Sequence, residues 1–129
     1  IAPRIDDDTV AICLLTGGLW FCADLMRALS RAGRNVRFDA LWLASYGDSR
    51  ASLGRCEVRA DLQRPLDGRR ALVVDDVIDT GLSLRQALAH ARAIEPDFVG
   101  WHAPPRYLVG YGMDAAGQLR GLPYVGALD

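Results

Sequence analysis

The chain has 129 residues, half of them hydrophobic, and a formal net charge of −1 at pH 7. This size and composition suit one globular domain with a modest core. Because basic residues are scattered and no apolar run reaches membrane-spanning length, we expect small-molecule partners, with no nucleic acid and no membrane.

The first predicted unit is a strand, a turn and a helix. Val10–Leu15 is a continuous apolar run, which is typical of a buried strand. The turn contains Gly17 and Gly18, and an apolar pattern with helical spacing then runs over residues 19–29. Gly33 is the expected stop of this helix.

The rest of the chain continues the alternation of strand and helix. The predicted strands cover residues 36–43, 58–62 and 71–74, and a second helix covers residues 82–93. Two short apolar runs follow at residues 98–101 and 107–111, and a last one lies in "LPYVGAL". The alternation predicts an α/β fold: a parallel sheet flanked by helices.

Cysteine and lysine usage add two constraints. Three cysteines without CxxC spacing indicate reduced thiols in a cytoplasmic protein. All 15 basic residues are Arg, so no mechanism that needs a lysine from this chain is available. The chain begins without Met or a signal-like leader, and we expect a trimmed N-terminus.

The stretch "ALVVDDVIDTGLSL" carries the strongest chemical signal. In an open parallel sheet, ligands bind outside the carboxyl ends of the strands, and the backbone N–H groups at a helix start favour an anion. Asp75 and Asp76 suit sugar hydroxyls or a divalent cation there, and the following Thr80, Gly81 and Ser83 suit a phosphate. Taken alone, these acids could equally be ordinary strand-end polar residues, with Asp79 as a helix N-cap. The whole string predicts a sugar-phosphate site.

This string resembles the ribose-phosphate signature of the type I phosphoribosyltransferases, and other segments narrow the family. "LLTGGLWFCADLMRAL" resembles the pyrophosphate loop and helix of the hypoxanthine-guanine enzymes, and "PDFVGWHAPPRYLVGYGMD" with "LRGLPYVGAL" resembles their purine-binding hood. The resemblance implies the type I phosphoribosyltransferase fold with a small hood, in a single domain over residues 1–129. It also implies transfer of a 5-phosphoribosyl group from 5-phosphoribosyl-1-pyrophosphate to N9 of a 6-oxopurine, with Mg²⁺, in a homodimer or homotetramer.

By this resemblance, the signature holds the ribose phosphate. Asp75 and Asp76 would bind the ribose 2- and 3-hydroxyls, directly or through Mg²⁺, and Asp79 would be the general base at N7 of the purine. The 5-phosphate would be held by Thr80, Gly81 and Ser83.

The resemblance places the remaining site residues in three other segments. Pyrophosphate would be bound by Thr16, Gly17 and Arg120, and Asp114 would ligate a metal on the same side. The peptide between Thr16 and Gly17 would be cis. The purine would contact the ring of Tyr107 and the backbone of Leu108, although Tyr107 taken alone is more typical of a core aromatic. The lid would begin with Ser45, Tyr46 and Gly47.

The sequence departs from the family pattern at two points. Thr16 stands where the family usually has a Lys before the glycine pair. The family also places a strand with a purine-reading Lys between the helix after the signature and "PDFVG", whereas here Ala93 is followed almost at once by Pro96. A parallel crossover needs a dozen or more residues, so we predict that residues are omitted from the chain near 92–95. The choice among hypoxanthine, guanine and xanthine therefore stays open.

Two other classes of protein share part of this pattern. A response-regulator receiver domain also ends an apolar strand in paired acids, but it needs that pair on its first strand and a late Lys, which this chain lacks. The other class is a binding or regulatory protein that keeps the phosphoribosyltransferase fold without the activity. The presence of the complete acid and Arg set favours the enzyme.

Overall fold

A computed structural model describes residues 1–45, 56–78 and 97–128, except for the side chains of Ser45 and Cys56. The elements, in chain order, are a 3-10 helix (Ala2–Arg4), β1 (Val10–Leu15), α1 (Leu19–Arg31), β2 (Arg37–Ser45), β3 (Cys56–Ala60), β4 (Ala71–Val74), β5 (Tyr107–Val109) and β6 (Gly126–Leu128). The predicted bounds of β1 and β4 are confirmed to the residue.

The main sheet has the strand order β3-β2-β1-β4. Strand β1 pairs in parallel with both β2 and β4, which confirms the predicted parallel core. Strand β3 is antiparallel to β2 and makes the sheet a mixed one. Only ten residues separate β2 from β3, and antiparallel strands need a shorter connection than parallel ones.

Central strand β1 buries both of its faces, as its continuous apolar sequence predicts. On one face Val10, Ile12 and Leu14 pack with Leu41 of β2. On the other face Ala11 and Cys13 lie among residues packed with α1. Helix α1 ends at Arg31, and the expected stop residue, Gly33, follows its C-cap Ala32 with a φ of 77° that is readily adopted only by glycine. None of the helices within the described ranges is long and apolar enough to cross a bilayer.

The two described cysteine side chains are free thiols in the core. Cys13 and Cys22 are completely buried. A hydrogen bond that the Cys13 thiol donates to Cys22, together with burial, raises the pKa of Cys13 well above its ordinary range. A thiol held protonated in this way is a packing group rather than a nucleophile.

Asp39 is a buried carboxylate on β2 that sequence reasoning did not single out. Its side-chain oxygens accept backbone hydrogen bonds from Ala40 at 2.8 Å, Gln63 at 3.0 Å and Arg64 at 2.8 Å. Buried carboxylates are stable only when they are satisfied in this way. Asp39 thereby holds the segment after β3 against the sheet.

The hood is a second, two-stranded sheet. Strands β5 and β6 are antiparallel, with Leu108 opposite Ala127. The apolar run at residues 98–101 forms no strand, and its Trp101 side chain is 60% exposed. The Arg4 guanidinium instead lies 4.9 Å from the ring centre of Phe98, which links the start of the chain to this run.

Candidate active site

The loop between β1 and α1 lies at the carboxyl edge of the parallel strands. Strand β1 ends at Leu15 and α1 begins at Leu19, so the loop is only Thr16 to Gly18. The prediction of a cis peptide between Thr16 and Gly17 was wrong by one bond: the cis peptide joins Leu15 and Thr16, where the strand ends and the turn begins. The Thr16 side chain is exposed at the surface of the loop.

The glycine pair brings this loop against the end of β4. A Cβ at Gly18 would lie 2.9 Å from the Leu14 carbonyl oxygen, closer than real Cβ contacts, and 3.0 Å from that of Val74, tighter than most of them. A Cβ at Gly17 would overlap the Asp76 carboxylate, with Oδ1 only 2.6 Å away. The loop backbone and the acid pair therefore form one surface, because β1 and β4 are neighbours and run in the same direction.

The acid pair is arranged so that one carboxyl favours its protonated form. The Asp76 backbone N–H donates to Asp75 Oδ1 at 3.0 Å. Burial, aided by the side-chain hydrogen bond and the charge of Asp76, raises the pKa of Asp75 to about 7. Two close carboxylates of this kind relieve their repulsion by sharing a proton or by binding a cation. The pair is therefore suited to hydrogen-bonding sugar hydroxyls or to holding a metal ion.

The pKa of Asp75 predicts a pH-dependent contribution to stability. Native Asp75 keeps its proton up to pH about 7, whereas the unfolded chain loses it near pH 3.8. Between these two values the native state binds more protons than the unfolded chain, so the free energy of unfolding should fall as pH rises from about 4 to about 7. The fall should be less than about 1.4 kcal/mol per pH unit, because this group is only half-buried. Denaturant unfolding of wild type and Asp75→Asn in metal-free buffer measures the difference, and the variant should gain relative stability across this range. An Asp67→Asn variant, at an exposed turn, is the control. Parallel curves for wild type and Asp75→Asn would contradict the prediction.

The segment 110–120, here called the hood loop, folds back on itself around Arg120. Arg120 Nη1 donates to the Gly112 carbonyl at 2.6 Å, and Nη2 forms an ion pair with Asp114 Oδ1 at 2.5 Å. The other oxygen of Asp114 accepts the Gly117 backbone N–H at 2.5 Å. The two residues expected to act on the pyrophosphate side are thus direct partners.

The hood loop also contacts the β1–α1 loop. A Cβ at Gly112, whose φ is 108°, would overlap the carbonyl oxygen of Gly17 and lie 3.1 Å from its carbon. Only glycine fits both the space and the backbone conformation here. Gly17 therefore touches Asp76 on one side and the hood loop on the other.

The two expected purine contacts lie on β5. The Tyr107 ring is 60% exposed, and its hydroxyl donates to the Asp114 carbonyl oxygen at 3.0 Å. A core role for this aromatic is therefore wrong. Leu108 is half-buried in the centre of the strand.

Several expected site residues lie outside the described ranges. They are Asp79, Thr80, Gly81 and Ser83 of the signature and Tyr46 and Gly47 of the lid, while Ser45 is described only as the last residue of β2. The omission expected near residues 92–95 also falls there. In the part of the chain that is described, no three acidic, His or Cys side chains converge in one group, so Asp114 does not join Asp75 and Asp76 in a single metal cluster.

Comparison with known proteins defines the class first. Residues 2–118 match the model of the phosphoribosyl transferase domain. The chain therefore belongs to this family, as its strand-end acid pair and glycine loop predict.

Relatives and solved structures then narrow the class. The chain is 33% identical to the hypoxanthine-guanine phosphoribosyltransferase of Bacillus subtilis, over 95% of this chain and 78% of that protein. For the Mycobacterium avium enzyme of the same name, the identity is 33% over 99% of this chain and 72% of that protein. A solved hypoxanthine-guanine phosphoribosyltransferase from Bacillus anthracis is 27% identical, with a TM-score of 0.79 over 94% of this chain and 82% of that one. The chain is thus a member of the hypoxanthine-guanine phosphoribosyltransferases, and the family, fold and enzyme class predicted from the sequence are confirmed.

Proposed function

We propose that this chain is a purine salvage transferase that moves a 5-phosphoribosyl group from 5-phosphoribosyl-1-pyrophosphate to N9 of hypoxanthine or guanine. The observation that carries the proposal is the contact of the Asp76 carboxylate with Gly17, which joins a sugar-hydroxyl site to a loop suited to pyrophosphate. Its relatives from Bacillus subtilis and Mycobacterium avium carry the name of this activity.

In this proposal the signature segment holds and orients the ribose. Asp75 and Asp76 accept hydrogen bonds from the ribose 2- and 3-hydroxyls, and the 5-phosphate lies on the backbone and hydroxyls of Thr80, Gly81 and Ser83. The bond from C1 to pyrophosphate breaks as the bond from N9 to C1 forms. Asp79 accepts the proton that the purine loses from N7.

The leaving pyrophosphate is bound on the other side of the acid pair. Thr16 and Gly17 offer backbone polar groups, and Arg120 offers positive charge. A guanidinium has five N–H donors. Two nitrogens of Arg120 bind the Gly112 carbonyl and the Asp114 carboxylate, and these contacts orient the side chain. Its further N–H groups are then available to the anion. Positive charge fixed in advance at a leaving anion stabilises the transition state.

Mg²⁺ suits the residues present. Asp75 and Asp76 are adjacent oxygen donors, and Mg²⁺ commonly takes one or two carboxylates and completes its shell with substrate oxygens and water. Asp114 is the proposed second position, on the pyrophosphate side. When bound, the cation neutralises developing negative charge on the leaving group.

The purine is held by the hood and covered by the lid. The exposed Tyr107 ring is free to stack on the base, and Leu108 presents its backbone to the base edge. A lid that begins at Ser45, Tyr46 and Gly47 closes over the site and excludes water from the reactive sugar.

Two further features belong to the proposal. The free, buried thiols of Cys13 and Cys22 suit a reducing, cytoplasmic setting. A homodimer or homotetramer is the proposed assembly, and light scattering of the purified chain would measure it.

The function is tested by a coupled assay for nucleotide formation. Purified chain, 5-phosphoribosyl-1-pyrophosphate, Mg²⁺ and hypoxanthine or guanine should give the nucleoside monophosphate and pyrophosphate, with xanthine as a third base to define preference. Omission of the donor is the control. Donor binding without product formation from any of the three bases would instead favour the inactive binding or regulatory protein.

A further inference from the structure

Tyr111 lies at the point where the hood loop meets α1. Its hydroxyl donates to Asp24 Oδ2 at 2.7 Å, a contact between residues 87 positions apart. Asp24 also forms an ion pair with Arg27 at 2.8 Å, one turn further along the helix. The bond to Tyr111 is the largest cause of a lowered pKa at Asp24, so the carboxylate is ionised and a strong acceptor.

The backbone of Tyr111 is held in an uncommon conformation. Its φ is 50°, in the left-handed region that bulky residues seldom adopt. Its backbone N–H donates to the Leu122 carbonyl at 2.9 Å, so hydrogen bonds hold both the backbone and the side-chain hydroxyl of Tyr111. Such outliers persist where the surrounding structure holds them, and they concentrate at functional sites.

Tyr111 immediately precedes the residue that touches the β1–α1 loop. Gly112 packs on the Gly17 carbonyl, and its own carbonyl accepts Arg120 Nη1 at 2.6 Å. The helix that carries Asp24 begins directly after the same loop, at Leu19. The bond between Tyr111 and Asp24 therefore closes a ring of contacts that runs from α1 through the β1–α1 loop to the hood loop.

We propose that Tyr111 is a positioning residue for pyrophosphate: its hydrogen bond to Asp24 sets Gly112 against Gly17 and thereby places Arg120 over the β1–α1 loop. This role rests on the proposed function and deepens it, because it names what aligns the two halves of the pyrophosphate site. Tyr111 acts through Gly112 and Arg120 and needs no contact with substrate. Its loss should weaken binding of pyrophosphate and of the pyrophosphate-bearing donor, and leave the purine contacts on β5 unaffected.

The test is titration calorimetry of the full chain with inorganic pyrophosphate and Mg²⁺, alongside steady-state kinetics. Tyr111→Phe removes only the hydroxyl, and we expect the Kd for pyrophosphate and the KM for the donor to rise about three- to tenfold, as for one lost hydrogen bond. The KM for the purine and kcat should change less than twofold. Asp24→Ala should have the same effect, and the double variant should be no worse than either single one. Asp24→Asn keeps an acceptor and should restore most of the affinity.

Two matched controls separate positioning from general damage. Tyr124→Phe removes a hydroxyl from another hood tyrosine, 59% exposed. Arg27→Ala removes the ion pair of Asp24 but leaves Tyr111 its acceptor. Both should bind pyrophosphate like wild type.

The outcomes also separate this inference from the proposed function. A wild type that binds pyrophosphate but makes no nucleotide rejects the function, and the affinity series still decides the role of Tyr111. Four results would each overturn the role of Tyr111. Two concern Tyr111→Phe: an unchanged affinity for pyrophosphate, or equal rises in KM for the donor and for the purine. The others are additive effects of the two single variants and a wild type that fails to bind pyrophosphate.

Discussion

One methyl group added at Gly17 should remove nearly all transferase activity while the chain still folds. In Gly17→Ala the new Cβ would overlap the Asp76 carboxylate. It would lie 2.6 Å from Oδ1 and still closer to Oδ2. The carboxylate is the end of a rotatable side chain, so it moves away at small cost in stability. That movement would take Asp76 from the ribose hydroxyls that we propose it binds, and displacements of about 1 Å in an active site can cost about 10²-fold in rate. We expect kcat/KM for 5-phosphoribosyl-1-pyrophosphate to fall by about 10²-fold or more.

Two other glycines provide the comparison. Gly100→Ala adds its methyl to open space and should retain full activity. Gly18→Ala meets the backbone carbonyls of Leu14 and Val74, which cannot rotate aside, so it should lower the midpoint of thermal unfolding as well as activity. Kinetics and thermal unfolding of the three variants would check these expectations. A Gly17→Ala enzyme within threefold of wild type would show that Asp76 does not need its present position.

Asp79→Asn should lower kcat by about 10²-fold or more with little change in the KM of either substrate. The side chain keeps its size and hydrogen-bonding capacity but loses the basic oxygen that we propose takes the N7 proton, and positioned acid–base groups contribute about 10²- to 10⁴-fold. A change confined to kcat is the pattern of an interaction made only in the transition state.

The matched control is Asp67→Asn, the same chemical change at an exposed turn residue. Steady-state kinetics with hypoxanthine and with guanine, together with a pH profile of kcat, would measure the effect. If Asp79→Asn turns over at the wild-type rate, Asp79 is not the base and the proton must leave by another route.

The relatives contain residues that this chain lacks. The alignment with the Mycobacterium avium enzyme extends over 149 positions, more than the 129 residues of this chain. The predicted omission near residues 92–95 is one place for such residues, and it stays a prediction. Mass spectrometry of the natural protein would give its length and show whether a Lys-bearing segment is present.

The sequence by itself determined the elements that depend on local pattern. The bounds of β1 and β4 follow from short apolar runs, and the stop of α1 follows from Gly33, because hydrophobic periodicity and glycine conformation act over a few residues. The placement of Asp75 and Asp76 at the carboxyl end of a parallel strand also followed, since ligand sites of open parallel sheets lie there. That β4 lies next to β1, which brings the acids beside the β1–α1 loop, was shown only by the structure.

Contacts between distant parts of the chain were decided only by the tertiary structure. Gly112 against Gly17 and Tyr111 on Asp24 join segments more than 80 residues apart, and no spacing rule relates them. In the sequence, the "GYG" string at residues 110–112 is only part of a resemblance, and the φ angles and contacts of these residues in the structure indicate a role for each. The burial of Asp39 likewise depends on where the segment after β3 returns to the sheet. A strand or helix can be predicted from local pattern because the residues that determine it are adjacent in the chain. The contact between the hood loop and the β1–α1 loop depends on packing that exists only once both have folded.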